Sequence, residues 1–163
     1  MKSPVKILDK ALSDGLLEMA AKAQKKRAFY SYQGPDEDLQ RMVYAGLTET
    51  YVQPHKHQSP VKIEVYLIVQ GRASLLVFDD TGNIADTINL DEAGPVRLVE
   101  IPAGVWHSLV ITSETAVLYE IIHGKFDPFT FKAFAGWAPE EEDQAGGQEY
   151  LRQLKQKLSE QPR

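Results

Sequence analysis

Between Arg41 and His123 the chain reads as short runs rich in Val, Ile, Leu and Tyr. Turn signals cut them at Asp79-Asp80-Thr81-Gly82-Asn83, Asp91-Glu92-Ala93-Gly94-Pro95 and Pro102-Ala103-Gly104. β-branched and aromatic side chains suit a pleated surface, whereas Gly, Pro, Asn and Asp suit the backbone angles of turns. The texture predicts about seven strands with no helix between them. Parallel strands need long crossovers, so an antiparallel sandwich or barrel is favoured, and the fold class is an all-β core. Ala73 to Phe78 is almost continuously apolar, as in a strand covered on both faces by terminal helices or by a second subunit.

Helical spacing appears at the two ends. Leu12, Leu16, Ala20 and Ala23, with Leu17 and Met19 beside them, predict an amphipathic helix from about Ser13 to Lys26 with Ser13 as its N-cap. The cluster Lys22, Lys25, Lys26 and Arg27 then falls in its last turns, where cations suit the negative end of the macrodipole. After His123, an aromatic segment through Phe126, Phe129, Phe134 and Trp137 is expected to pack on the outside of the β core. The acidic run Glu140-Glu141-Glu142-Asp143 and Gly146-Gly147 read as a solvated break before a short helix carrying Leu151, Leu154 and Leu158. Residues 1–40 are thus a helix and lead-in, 41–123 the β core and 124–163 a tail packed on it. With 163 residues, 43% of them hydrophobic, one domain overall is expected.

Composition narrows the chemistry. Cysteine is absent, so any metal must sit on nitrogen and oxygen. Eighteen basic against twenty-three acidic residues, a net charge of −5, provide no basic field for a phosphate backbone. No apolar run approaches the roughly 18 to 20 residues of a membrane span, and the N-terminus lacks the pattern of a signal peptide. No nucleic-acid or membrane partner and a cytoplasmic location are the expectations. No phosphate-cradling glycine loop or serine nucleophile motif is present.

Three of the chain's four histidines lie in two motifs: His55-Lys56-His57, followed by Glu64, and Pro102-Ala103-Gly104-Val105-Trp106-His107. Residues two apart on a strand share a face, so His55 and His57 can be neighbouring ligands. With Glu64 and His107 they make a three-histidine, one-carboxylate set suited to zinc, iron, manganese or nickel. A lone His-x-His arises cheaply as a pair of loop-edge histidines. Four metal-compatible residues spread over the turns and strands of one β chain favour a site, provided that the strands close on one another.

These residues resemble the cupin signatures: His-x-His, a glutamate six residues short of a glycine (Glu64, Gly71), then Pro-x-Gly-x-x-His (Pro102, Gly104, His107). Two departures are visible. Six residues separate His57 from Glu64, a longer interval than usual, which a widened turn around Ser59-Pro60 is expected to absorb; and Ile111 stands where many cupins have asparagine. More specifically, the chain is similar to the WbuC family of cupin-fold metalloproteins. That similarity is carried by Pro54-His55-Lys56-His57, Gly71-Arg72, Phe78 to Gly82, Glu100 to His107 and Phe134 to Glu140. The resemblance implies a single cupin barrel (double-stranded β-helix, or jelly roll) with an N-terminal helix and a short C-terminal helix, and one divalent metal ion on His55, His57, Glu64 and His107. It also implies a homodimer and a bacterial setting near surface-polysaccharide genes.

Glu120 interrupts the apolar run Val117 to Ile122, pointing either to solvent or into a polar pocket; if inward, it is the leading general acid/base. Tyr66 shares a strand face with Glu64 and is either a packed aromatic or a hydroxyl near the metal. Trp106, Met19 and Met42 read as packing, Arg72 as a weak anion-binding candidate and His123 as a surface residue. The functional readings are a metal-dependent enzyme on a small polar molecule such as a sugar or sugar-nucleotide intermediate (an isomerase, or an iron-dependent dioxygenase), a non-catalytic small-ligand module, and a structural metal in a dimerising scaffold.

Overall fold

Two long strands organise the molecule. A computed structural model describes residues 5–34, 36–58 and 62–160, so the expected turn at Ser59-Pro60 lies outside the described residues. The elements run α1 (Lys10–Lys22), β1 (Arg27–Ser31), β2 (Leu39–Leu47), β3 (His55–Lys56), β4 (Glu64–Phe78), β5 (Ile84–Asp91), β6 (Leu98–Ile101), β7 (Trp106–His123), β8 (Ala133–Phe134) and α2 (Gln144–Glu160). Strands β1 and β8 lie outside the segment to which the sequence confined strands. Within it, β4 and β7, 15 and 18 residues long, each serve two halves of the sheet.

β4 and β7 pair antiparallel along almost their whole length, with register shifts between Ile68 and Gln70 and between Gly71 and Ala73. At that bend Gly71 has φ 78°, and a Cβ there would lie 2.2 Å from the Thr115 carbonyl oxygen, so only glycine fits. One half of the sheet runs β1, β2, the end of β7, the start of β4 and β6. The other runs β8, β3, the start of β7, the end of β4 and β5. Apolar side chains from both halves meet in one core, including Tyr66, Ile68, Leu75, Leu109, Ile111 and Leu118. The expected jelly roll with a helix at each end is therefore present, but its hydrogen-bonded sheet does not close. Folding of two halves onto each other, rather than closure, makes the motifs converge.

The helices cover the outer faces. Leu16 and Ala20 of α1 pack on Val43, Ala45 and Val117. The N-cap is Asp9, whose carboxylate accepts from the Leu12 N–H at 2.9 Å; Ser13 lies one turn inside and donates to the Asp9 carbonyl. Because Ala23 is extended, the helix ends at Lys22 rather than near Lys26, and Met19 is exposed instead of packed. Lys25 and Arg27 are therefore not helix-end cations: both bind Glu141, at 3.0 and 2.5 Å. The acidic run is correspondingly only partly a solvated loop, since Asp143 also accepts from the Gly146 N–H in the first turn of α2. Leu151 and Leu154 of α2 cover Leu76, Phe78 and Val110. Gly147 lies inside that helix rather than in a break, with room for no Cβ against the Tyr51 ring. The doubly apolar run at Ala73 to Phe78 is thus covered by the chain's own helix and does not itself call for a second subunit.

Candidate metal centre

The four predicted ligands arrive from three parts of the sheet. His55 and His107 face one another as a register pair of β3 and β7. His57 follows β3, where the positive-φ Gly104 of the Pro-x-Gly turn donates its N–H to the His57 carbonyl at 2.8 Å. Glu64 opens β4 on the opposite half. One ligand atom from each of the four lies within 4.8 Å of the others, and all four residues are buried, with Glu64 wholly inaccessible. The longer interval between His57 and Glu64 therefore does not remove Glu64 from the group.

The histidine tautomers follow from the backbone. Nδ1 of His55 donates to the Gln53 carbonyl at 2.9 Å, Nδ1 of His107 to the Val105 carbonyl at 2.9 Å, and Nδ1 of His57 to the Phe131 carbonyl. A carbonyl only accepts, so each Nδ1 carries hydrogen, and a neutral ring then presents a bare lone pair at Nε2. Nε2 of His107 lies 2.8 Å and that of His57 3.2 Å from one Glu64 oxygen. Yet all three Nε2 atoms and both Glu64 oxygens are buried without hydrogen-bond partners among the described residues.

Buried polar atoms left unpaired cost about 1 to 3 kcal/mol each, so five together need a common partner. An added proton serves one Nε2–carboxylate contact and leaves His55 unserved. Burial, reinforced by Lys132 and His107, holds the His55 imidazole well below its usual pKa. Burial alone would raise Glu64, but the close approach of the His107 and His57 imidazoles outweighs it and holds the carboxyl well below the usual range. Neutral imidazole, an anionic carboxylate and Nδ1–H anchored on carbonyls make a donor set that fits a divalent cation.

Glu120 points inward. It sits on β7 opposite Tyr66 of β4 and is 6% exposed. Burial, then the Glu64 charge, push it up to about 8 against the pull of Lys132. The Tyr66 ring is part of the core, as its packed reading has it, and burial with the carboxylates of Glu64 and Glu120 pushes its phenol well above the usual range. Both residues line a cavity of about 590 Å³. None of the four clustered residues lines it; the cavity ends at their neighbours, Glu120 beside Glu64 and the rings of Phe131 and Phe134 beside His57 and His55.

Other sequence candidates stand apart. Trp106 packs outward with Trp137 and donates to Asp80 at 3.0 Å; Arg72 is exposed at the β4 bend; His123 is exposed. The aromatic segment, expected on the outside of the core, forms one wall of the cavity through Phe126, Phe131 and Phe134 and supplies the carbonyl that orients His57. Lys132 and Tyr44, both missed from sequence, also line it. A period-2 signal was available for the opposite wall, where Arg27, Phe29 and Ser31 alternate on β1 and Gln40, Met42 and Tyr44 on β2. A backbone carbonyl leaves no sequence signal. Among the described residues no helix is long and apolar enough to cross a membrane.

Comparison with known proteins gives fold and family. A family model described as a domain of unknown function (DUF6016) matches residues 8–90. No curated protein sequence matches the chain. CapF solved with the inhibitor 3-isopropenyl-tropolone is 19% identical with a TM-score of 0.58, over 69% of this chain and 32% of that one. The capsular polysaccharide assembling protein CapF from Staphylococcus aureus is 20% identical at a TM-score of 0.55, over 65% and 29%. KdgF from Halomonas sp. is 14% identical at 0.50, over 63% and 83%. The chain thus spans about a third of the CapF structures, and the likeness at these identities is one of fold, the cupin fold.

Proposed function

We propose, from the premise that the chain belongs to the DUF6016 family and has the cupin fold, that it is a metal-dependent enzyme moving a proton on a small polar substrate, as in an isomerisation. The observation that carries this reading is the convergence of three unpartnered Nε2 atoms and two unpartnered carboxylate oxygens beside a cavity whose inner end holds a buried carboxylic acid. His55, His57, Glu64 and His107 would hold one divalent ion, and such an ion polarises a substrate oxygen when bound. Glu120 is the acid/base group, being buried on the cavity side of Glu64 with no cation at ion-pair distance among the described residues to lock it as a carboxylate. Tyr66, two residues along β4 from Glu64 and opposite Glu120 of β7, orients both carboxyls.

Similarity to WbuC-family proteins and a homodimeric state belong to this proposal. A sugar or sugar-nucleotide substrate also belongs to it, drawing on the name of the capsular polysaccharide assembling protein, with which this chain shares a fold. Near-complete burial of the four ligands favours a second reading, a structural ion with a closed shell. Water-proton relaxation of the protein loaded with Mn²⁺ separates the two. An enhancement above that of a chelate without exchangeable water supports the enzyme, and none supports the structural ion.

A further inference from the structure

The polar groups of the cavity fall into two kinds. Toward the outer β1–β2 wall most of them are committed: Arg27 donates to the Tyr51 carbonyl at 2.7 Å and to Glu141, and Gln33 donates to Gln40 at 3.1 Å. Gln40 in turn donates to the Glu37 carbonyl, and the Gln33 amide oxygen accepts from the Arg41 N–H. A polyhydroxylated ligand would find few free partners there. The rest of the lining is hydrocarbon and ring, Phe29 and Met42 on the β1–β2 wall and Phe126, Pro128, Phe131 and Phe134 on the wall facing it.

At the inner end the situation reverses. The Tyr44 hydroxyl, with Arg27 and Glu120 as its charged neighbours, is buried without a hydrogen-bond partner among the described residues, in a residue 9% exposed. Lys132 lines the same cavity and shares Glu120 with Tyr44 as a charged neighbour; its charge also acts on His55, and no carboxylate lies within ion-pair distance of its ammonium among the described residues. An unpaired buried hydroxyl and an unpaired ammonium at one end of an apolar cavity are left for a ligand to satisfy.

We propose that the cavity takes an amphipathic carboxylate, its acid head held by Lys132 and the Tyr44 hydroxyl at the inner end and its aromatic or alkyl body lying among Phe126, Phe131, Phe134 and Met42. This rests on the reading of the site as an open ligand-binding centre and names its substrate class. The charge balance agrees: a divalent ion together with Lys132 outweighs the carboxylates of Glu64 and Glu120, so an anionic head is admitted even with both ionised. A cavity of about 590 Å³ is also within the ordinary range for such a ligand.

Titration calorimetry with three probes tests it: 3-phenylpropionate, the neutral 3-phenylpropanol with the same body, and gluconate, an acid with a polyhydroxylated body. The expected result is binding of 3-phenylpropionate at least about tenfold tighter than either of the others, about 1.4 kcal/mol. Lys132→Met should remove the preference for acid over alcohol, and Tyr44→Phe, which deletes only the hydroxyl, should weaken the acid severalfold. Thermal melting checks that both variants are folded. Gluconate binding as tightly as 3-phenylpropionate, or a folded Lys132→Met variant that keeps the acid preference, would overturn the proposal. Metal content measured on the same samples separates the two readings. Lys132-dependent acid binding by metal-free protein defeats the metal-dependent enzyme alone, and stoichiometric metal with a gluconate preference defeats the amphipathic ligand alone.

Discussion

The two faces of the first half of β7 have opposite interiors. Outward, Trp106 and Val110 meet Phe78, Leu76 and the leucines of α2, and Ser108 donates to the Val52 carbonyl at 2.7 Å, so the strand's own side chains on this face are packed or paired. Inward, Leu109 and Ile111 join the core, but His107, on the same face, joins buried polar atoms that have no partners. A strand can thus carry stability on one face and an unresolved polar demand on the other. The outer face obeys the rules of a core, whereas the inner end retains a cost that only a ligand removes.

This contrast predicts that mutations separate cleanly by face. The largest effect is expected from Leu76→Ala, beneath α2 and fully buried, which should lose about 2 to 5 kcal/mol in denaturant unfolding while the folded fraction keeps its metal stoichiometry. On the other side, a chelator should lower the melting temperature of the wild type but not of His107→Ala; at free metal about 100 times Kd the bound ion contributes about 2.7 kcal/mol. Equal chelator sensitivity of the two proteins would break the comparison. Gly147→Ala drives a methyl group into the Tyr51 ring and should cost about 1 to 3 kcal/mol without touching metal content. The smallest effect lies far from both faces, at the end of α1: Asp9→Ala should lose about 1 kcal/mol, more than Ser13→Ala, because Asp9 is the residue that caps.

What the sequence made legible follows the same division. Strand texture, the doubly covered run at Ala73 to Phe78, the leucine stripe of α2 and the four clustered residues all depend on spacing, which a chain displays openly. The helix end was misplaced because Ala23 through Arg27 keep helix-forming side chains while an extended Ala23 and a left-handed Lys26 turn the backbone. Lys25 and Arg27 looked like helix-end cations because Glu141, more than a hundred positions away, was invisible as their partner. The inward direction of Glu120 and the cavity roles of Tyr44 and Lys132 depend on how the halves of the sheet face each other and where the tail returns. No local spacing records that.

The central claim is that His55, His57, Glu64 and His107 form a metal centre. Elemental analysis of protein purified without added metal and without a metal-binding tag, beside the His57→Ala variant, tests it most directly. The account predicts near-stoichiometric divalent metal in the wild type, lost in a variant whose circular dichroism still shows the β-structure. Full metal content in the folded variant, or no metal in a wild type that also fails to take it up on reconstitution, would contradict it.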